Sequence, residues 1–230
     1  MSFLILLVVA YAQGNSYLDM NYMPEIHTLG INTDMAISLM DGEDLSDTFV
    51  FKEAVFYQFP HMIMGRIGYI RDNRAQTNSL SLGIGGHFVG YRPRASYVFR
   101  NSTNTYSFGL AIYRRLIALD MDVIIGHTQG TQVTVPLNVA AQFYNNGSLS
   151  INGLSNFTYI INSETPQGRL RKFTFQIGLG SRIKLAPKTH LAPSIMIPFV
   201  TNTALENSPT NVVYFPDKQL TIGMILNIEV

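Results

Sequence analysis

The 230-residue chain has no cysteine and no tryptophan, and only 13% of its residues are charged. Without cysteine there is no disulfide scaffold and no thiolate metal site. The charged fraction is about half the ~25% of a soluble domain. Although 47% of the residues are hydrophobic, none of the apolar runs reaches the roughly 18 residues of a transmembrane helix. A formal net charge of +1 gives no electrostatic reason to expect nucleic acid. If this chain enters a membrane, it enters as a sheet.

Alternation is what the chain has in abundance. In residues 219–230, Leu220, Ile222, Met224, Leu226, Ile228 and Val230 share one parity, and Gln219, Thr221, Gly223, Ile225, Asn227 and Glu229 share the other. Only a β-strand places alternate residues on opposite faces. The same two-faced pattern recurs over residues 26–39, 78–91, 105–113, 116–126, 131–144, 148–161, 170–185 and 189–200. Each repeat is about as long as a tilted strand that crosses a bilayer, roughly 9–11 residues. In residues 170–185, Phe173, Phe175, Ile177, Leu179, Ile183 and Leu185 oppose Lys172, Gln176, Arg182 and Lys184. A soluble sandwich rarely buries four such polar side chains while exposing six large apolar ones.

Residues 49–71 alternate poorly around Pro60 and read as one long bulged strand or two. Pro136, Pro193 and Pro198 read as bulges, since proline cannot donate to a ladder. Counting residues 49–71 once gives about ten strands, with eight to twelve open. The expected fold is therefore all-β, a closed antiparallel up-and-down transmembrane β-barrel. Residues 73–77, 114–115, 145–147 and 186–189 become periplasmic turns, with Asn146-Gly147 as a hairpin signal. Residues 40–48, 92–104, 127–130, 162–169 and 201–218 become outer loops. Tyr and Phe near many strand ends, such as Tyr69, Tyr91, Tyr106 and Phe199, suit interfacial girdles.

Residues 1–12 have an apolar core and end in Ala10-Tyr11-Ala12, the small-x-small pattern of a signal-peptidase site. Cleavage before Gln13 leaves residues 13–230 as a single barrel domain. Thr221-x-Gly223-x-x-Leu226-x-Ile228 resembles the β-signal read by the outer-membrane insertion machinery, and Ala12-Gln13 resembles the cleavage junction of exported proteins from Bacteroidota-type bacteria. The mature chain resembles a small outer-membrane β-barrel of the OmpA/OmpX/PorT-like kind. That resemblance implies the cell outer membrane as location, with lipid and the export and insertion machinery as partners.

The inward-facing polar candidates are Asp34, Arg66, His87, Asp120, Asp122, Gln176, Arg182 and Lys184, joined by Gln132, Asn138, Gln142, Lys172 and Glu229. Charges in a narrow lumen must pair with one another or with trapped water. They form either a structural network or a narrow polar channel, with Asp120 and Asp122 facing Arg182 and Lys184 as its constriction. The expected role is structural, binding or narrow-pore, without catalysis, in a monomer with no cofactor and no metal. Asp120-x-Asp122 supplies only two ligands, and Gly83-x-Gly85-Gly86 lies within a strand, where glycine permits curvature rather than phosphate binding. Two rivals remain. One is a soluble exported β-barrel holding a small apolar ligand, with the apolar parity turned inward. The other is an outer-membrane lipid-modifying enzyme, for which His127-Thr128 near Asp122 is the best fragment.

Overall fold

A computed structural model describes residues 28–39, 49–60, 63–73, 76–86, 88, 90–100, 103–114, 116–127, 131–165, 168–205, 211–214 and 220–230. The signal-peptide reading of residues 1–12 and the candidate His87 lie outside them. The described residues form β1 (Leu29–Leu39), β2 (Phe49–Gln58), β3 (Ile63–Asp72), β4 (Thr77–Gly86), β5 (Tyr91–Arg100), β6 (Thr103–Arg114) and β7 (Ile117–His127). Then follow β8 (Thr131–Asn145), β9 (Leu149–Thr165), β10 (Gly168–Ala186), β11 (Thr189–Leu205), β12 (Asn211–Tyr214) and β13 (Leu220–Glu229).

Successive strands from β1 to β11 pair antiparallel, β11 pairs with β13, and β13 returns to β1. Twelve strands thus close the ring, and an even number is what an all-antiparallel closure requires. The ten-strand count is short by two, both in places where alternation is weak. Residues 49–71 fold as β2 and β3, because inward-facing Val50, Phe56 and Ile70 make both faces partly apolar. Residues 92–100, expected as part of the outer loop 92–104, instead belong to β5, which pairs with β4 and β6. The added hairpin puts Asp72 and Thr77, where β3 ends and β4 begins, on the rim opposite Leu29 and Glu229 rather than on the side expected for that turn, and β5 restores the expected side for the later turns.

β1–β7 are 10 to 12 residues long, whereas β9–β11 are 17 to 19. β13 last pairs with β11 at Thr221 and Met196, while β11 continues to Leu205. β12 covers the edge thus left open, pairing Asn211–Tyr214 with Thr201–Ala204. That is how a sheet avoids presenting bare N–H and C=O groups. At the other rim Gly147 turns from β8 to β9 at φ 84°. Asn145 and Asn146 side chains accept from the Gly147 and Leu149 amides at 2.8 Å each.

Burial is inverted relative to a soluble protein. Asp34, Lys52, Asp120, Asp122, Gln132, Asn138, Asn156 and Gln176 are buried, while Ile67, Leu80, Ile84, Phe108 and Phe199 are exposed, Ile67 at 63%. The apolar parity points outward on strand after strand, as lipid-facing strands require. This facing removes the soluble barrel with an apolar internal ligand, which needs the opposite.

Candidate functional site

The inner wall divides into two sectors. Along β7–β9, Asp120, Asp122, Ile124, Thr134, Pro136, Asn138 and Ile160 are all under 2% exposed, so the lumen there is filled with side chains. Asn138, Asn156 and Gln176 continue the register row that starts at Asp120. In it Asn156 Nδ2 donates to Asn138 Oδ1 at 2.5 Å, and Thr158 Oγ1 donates to Asn156 Oδ1 at 2.9 Å. Ala111, Ala140, Leu154, Met196 and Ile225 add an apolar cluster on the same inner wall.

The other sector holds a cavity of about 190 Å³ lined by residues of β1–β6 and β13. That is room for several waters or a small organic group. Lys52, Arg66, Arg92 and Arg94 reach it, with Asp34, Asn32 and Asn227. Asp34 and Lys52 are direct register partners across β1 and β2. Arg66 Nη2 donates to Asn32 Oδ1 at 3.2 Å, and Asn32 Nδ2 donates to Asn227 Oδ1 at 3.2 Å. The Arg92 guanidinium lies 5.2 Å from the centre of the Tyr113 ring, within cation–π range.

Arg94 reaches over β6 to the acids of β7. Its Nη2 donates to Asp120 Oδ1 and to Asp122 Oδ2, each at 2.5 Å, and its Nε donates to Asp122 Oδ1 at 3.0 Å. The fork onto Asp122 is the bidentate geometry that makes guanidinium–carboxylate pairs strong. Gly109 stands between them, in register with both Arg94 and Asp122. A Cβ there would overlap the Asp122 carboxylate and sit 2.8 Å from Arg94 Nε. Gly109→Ala is expected to push the pair apart at a cost of about 1–3 kcal/mol, read as a lower unfolding midpoint in detergent.

These contacts revise the expected constriction. Asp120 and Asp122 meet Arg94, not Arg182 and Lys184. Gln176 on β10 shares the row of Asp120, whereas Arg182 lies further along β10, level with Ser150, and exposed Lys184 pairs with His190 near the rim. Asp34 and Arg66 line the cavity, Arg94 ties it to Asp120 and Asp122 in the packed sector, and Gln176, Arg182 and Lys184 are absent from the cavity lining. Residues 92–104 read as a loop because Arg92, Pro93 and Arg94 interrupt the apolar pattern. Parity was the available signal, since Arg92, Arg94, Ser96, Val98 and Arg100 alternate with Tyr91, Pro93, Ala95, Tyr97 and Phe99. The hydrolase fragment separates: His127 faces outward at a rim with Thr131 Oγ1 3.2 Å from its Nδ1, while Asp122 points inward. Gly83 and Gly85 have no positive φ, and they leave bare wall beside the cavity.

Neither a family model nor a curated protein matches the sequence. The fold is similar to that of a KdgM porin solved in complex with disordered oligogalacturonate, at 10% identity and TM-score 0.51, over 86% of this chain and 98% of that one. It is also similar to an outer membrane channel from Pseudomonas putida F1, at 10% identity and TM-score 0.51, over 91% of this chain and 97% of that one. At these identities the likeness is one of architecture. A closed ring of twelve antiparallel strands, apolar outside and polar within, is the architecture of a bacterial outer-membrane β-barrel, and this chain has it.

Proposed function

We propose that the protein is a narrow pore or solute-binding barrel of the cell outer membrane and does no chemistry of its own. The observation that carries this is the divided lumen, packed along β7–β9 and hollow beside β2–β5, with charged side chains on the hollow side. The KdgM porin, whose fold is similar, was solved in complex with disordered oligogalacturonate, which supports a pore or solute-binding reading. Asp120 and Asp122, the acids a hydrolase or a metal would need, are both engaged by Arg94.

In this reading residues 1–12 are removed on export, residues 13–230 form one domain, and the barrel works as a monomer in lipid. Its polar partners are the solute and, during assembly, the export and insertion machinery; nucleic acid is not among them. Kinship with OmpA/OmpX/PorT-like barrels of Bacteroidota-type bacteria rests on Ala12-Gln13 and on Thr221 to Ile228.

The test is to extract the protein from outer membranes, compare gel migration with and without boiling, and reconstitute it in planar bilayers. A faster unboiled band and small, discrete conductance steps are expected. A protein recovered in the soluble periplasmic fraction, with no heat shift, would overturn the reading.

A further inference from the structure

We propose that the cavity beside β2–β5 binds a small oxyanion, the carboxylate or phosphate group of a solute in the lumen. This rests on the pore or binding reading above and names the chemistry of its site. Among the described residues, four basic side chains, Lys52, Arg66, Arg92 and Arg94, line the cavity with one carboxylate, Asp34. Asp120 and Asp122 lie across β6, where they bind the Arg94 guanidinium from the far side. Even with both counted, the guanidinium groups of Arg66, Arg92 and Arg94 match the three carboxylates one for one before Lys52 is added. Asp34 lines the cavity beside the basic side chains, whereas Asp120 and Asp122 are not part of its lining.

That space is built by what β4 lacks. The inward face of β4 at the cavity is Ser81, Gly83 and Gly85. Gly83 is in register with Arg66 on one side and Ser96 on the other, and Gly85 with Met64 and Arg94. A Cβ at Gly83 would meet nothing closer than 3.6 Å, so neither backbone conformation nor crowding demands glycine there. Its consequence is an open floor between a cationic strand on each side. A guanidinium has five N–H donors in a planar fork and can hold a protein acceptor and an oxyanion together. Arg66 holds the protein acceptor Asn32 Oδ1 through Nη2. Like charges gathered in a part-enclosed, low-dielectric space repel, and an anion among them relieves that repulsion.

Binding is tested on the refolded barrel in detergent by titrating sodium acetate and sodium phosphate against a sodium chloride reference at fixed ionic strength, with the heat of binding as readout. Two variants accompany it. Arg66→Gln/Arg92→Gln removes charge, and Gly83→Leu fills the floor while keeping all four cations. Saturable binding of one oxyanion, weakened at least tenfold in both variants whose unboiled bands still migrate fast, is the expected result. The arm that saturates says whether the site takes a carboxylate or a phosphate. No saturable binding of either, or unchanged affinity in Gly83→Leu, would overturn the proposal. If the double variant fails to fold, the Gly83→Leu comparison decides. A barrel that conducts yet binds neither anion loses this inference and keeps the pore reading; one that binds but never conducts keeps the inference and loses the pore.

Discussion

Replacing Arg94 with alanine is expected to destabilise the barrel by about 3–5 kcal/mol, the usual cost of leaving a buried charge without its partner. Two carboxylates are at stake, because Asp120 is 0% exposed and Asp122 is 1% exposed, and the same guanidinium binds both. Truncation leaves two negative charges facing each other in a packed sector that water barely enters. Neutralising the acids as well, in Arg94→Gln/Asp120→Asn/Asp122→Asn, is expected to recover most of the loss, since replacing every member of a buried ionic group is often near neutral. Urea unfolding in lipid vesicles, followed by loss of the fast-migrating band, measures both. An Arg94→Ala barrel as stable as the parent would show that the three side chains do not form a coupled group, and additivity across the variants would show the same.

Ile67→Arg is expected to cost about 2–4 kcal/mol in a bilayer and to lower the yield of inserted barrel. Ile67 is 63% exposed near the middle of β3, flanked in register by Val55 and Leu82 on the neighbouring strands, both exposed as well. On a water-facing surface the same change falls within about 0.5 kcal/mol of neutral. The sign and size of the effect thus report what surrounds the barrel. Refolding into vesicles, with Leu80→Arg as a second outward position, distinguishes the two environments; a neutral result at both would remove lipid from the outer face.

Much of this architecture was legible without coordinates. Thr33, Met35 and Ile37 point out and Asn32, Asp34 and Ala36 point in, as the alternation of residues 26–39 requires, and β13 likewise turns Thr221, Ile225, Asn227 and Glu229 inward. Asp120 and Asp122 face the interior because they share a parity that a lipid face excludes. Reading failed where one face ceased to be distinctive. β2 carries Val50, Ala54 and Phe56 inward, so neither parity is plainly polar. In β5 three arginines and Pro93 disguise a strand as a loop, because local composition and strand periodicity pull in opposite directions there.

The sequence by itself determined the inside-out sheet: period-two alternation with a polar parity has few stable solutions other than a barrel whose apolar face meets lipid, and low charge with no cysteine fits that class. Only the tertiary structure decided which charges meet. The twelve-strand ring places Arg94 two strands away from Asp122, across Gly109 of β6, and sets Arg182 and Lys184 at another height on a far strand. Partner choice depends on strand number and stagger, which are properties of the closed ring. Parity names the face of each residue, but closure names its neighbour.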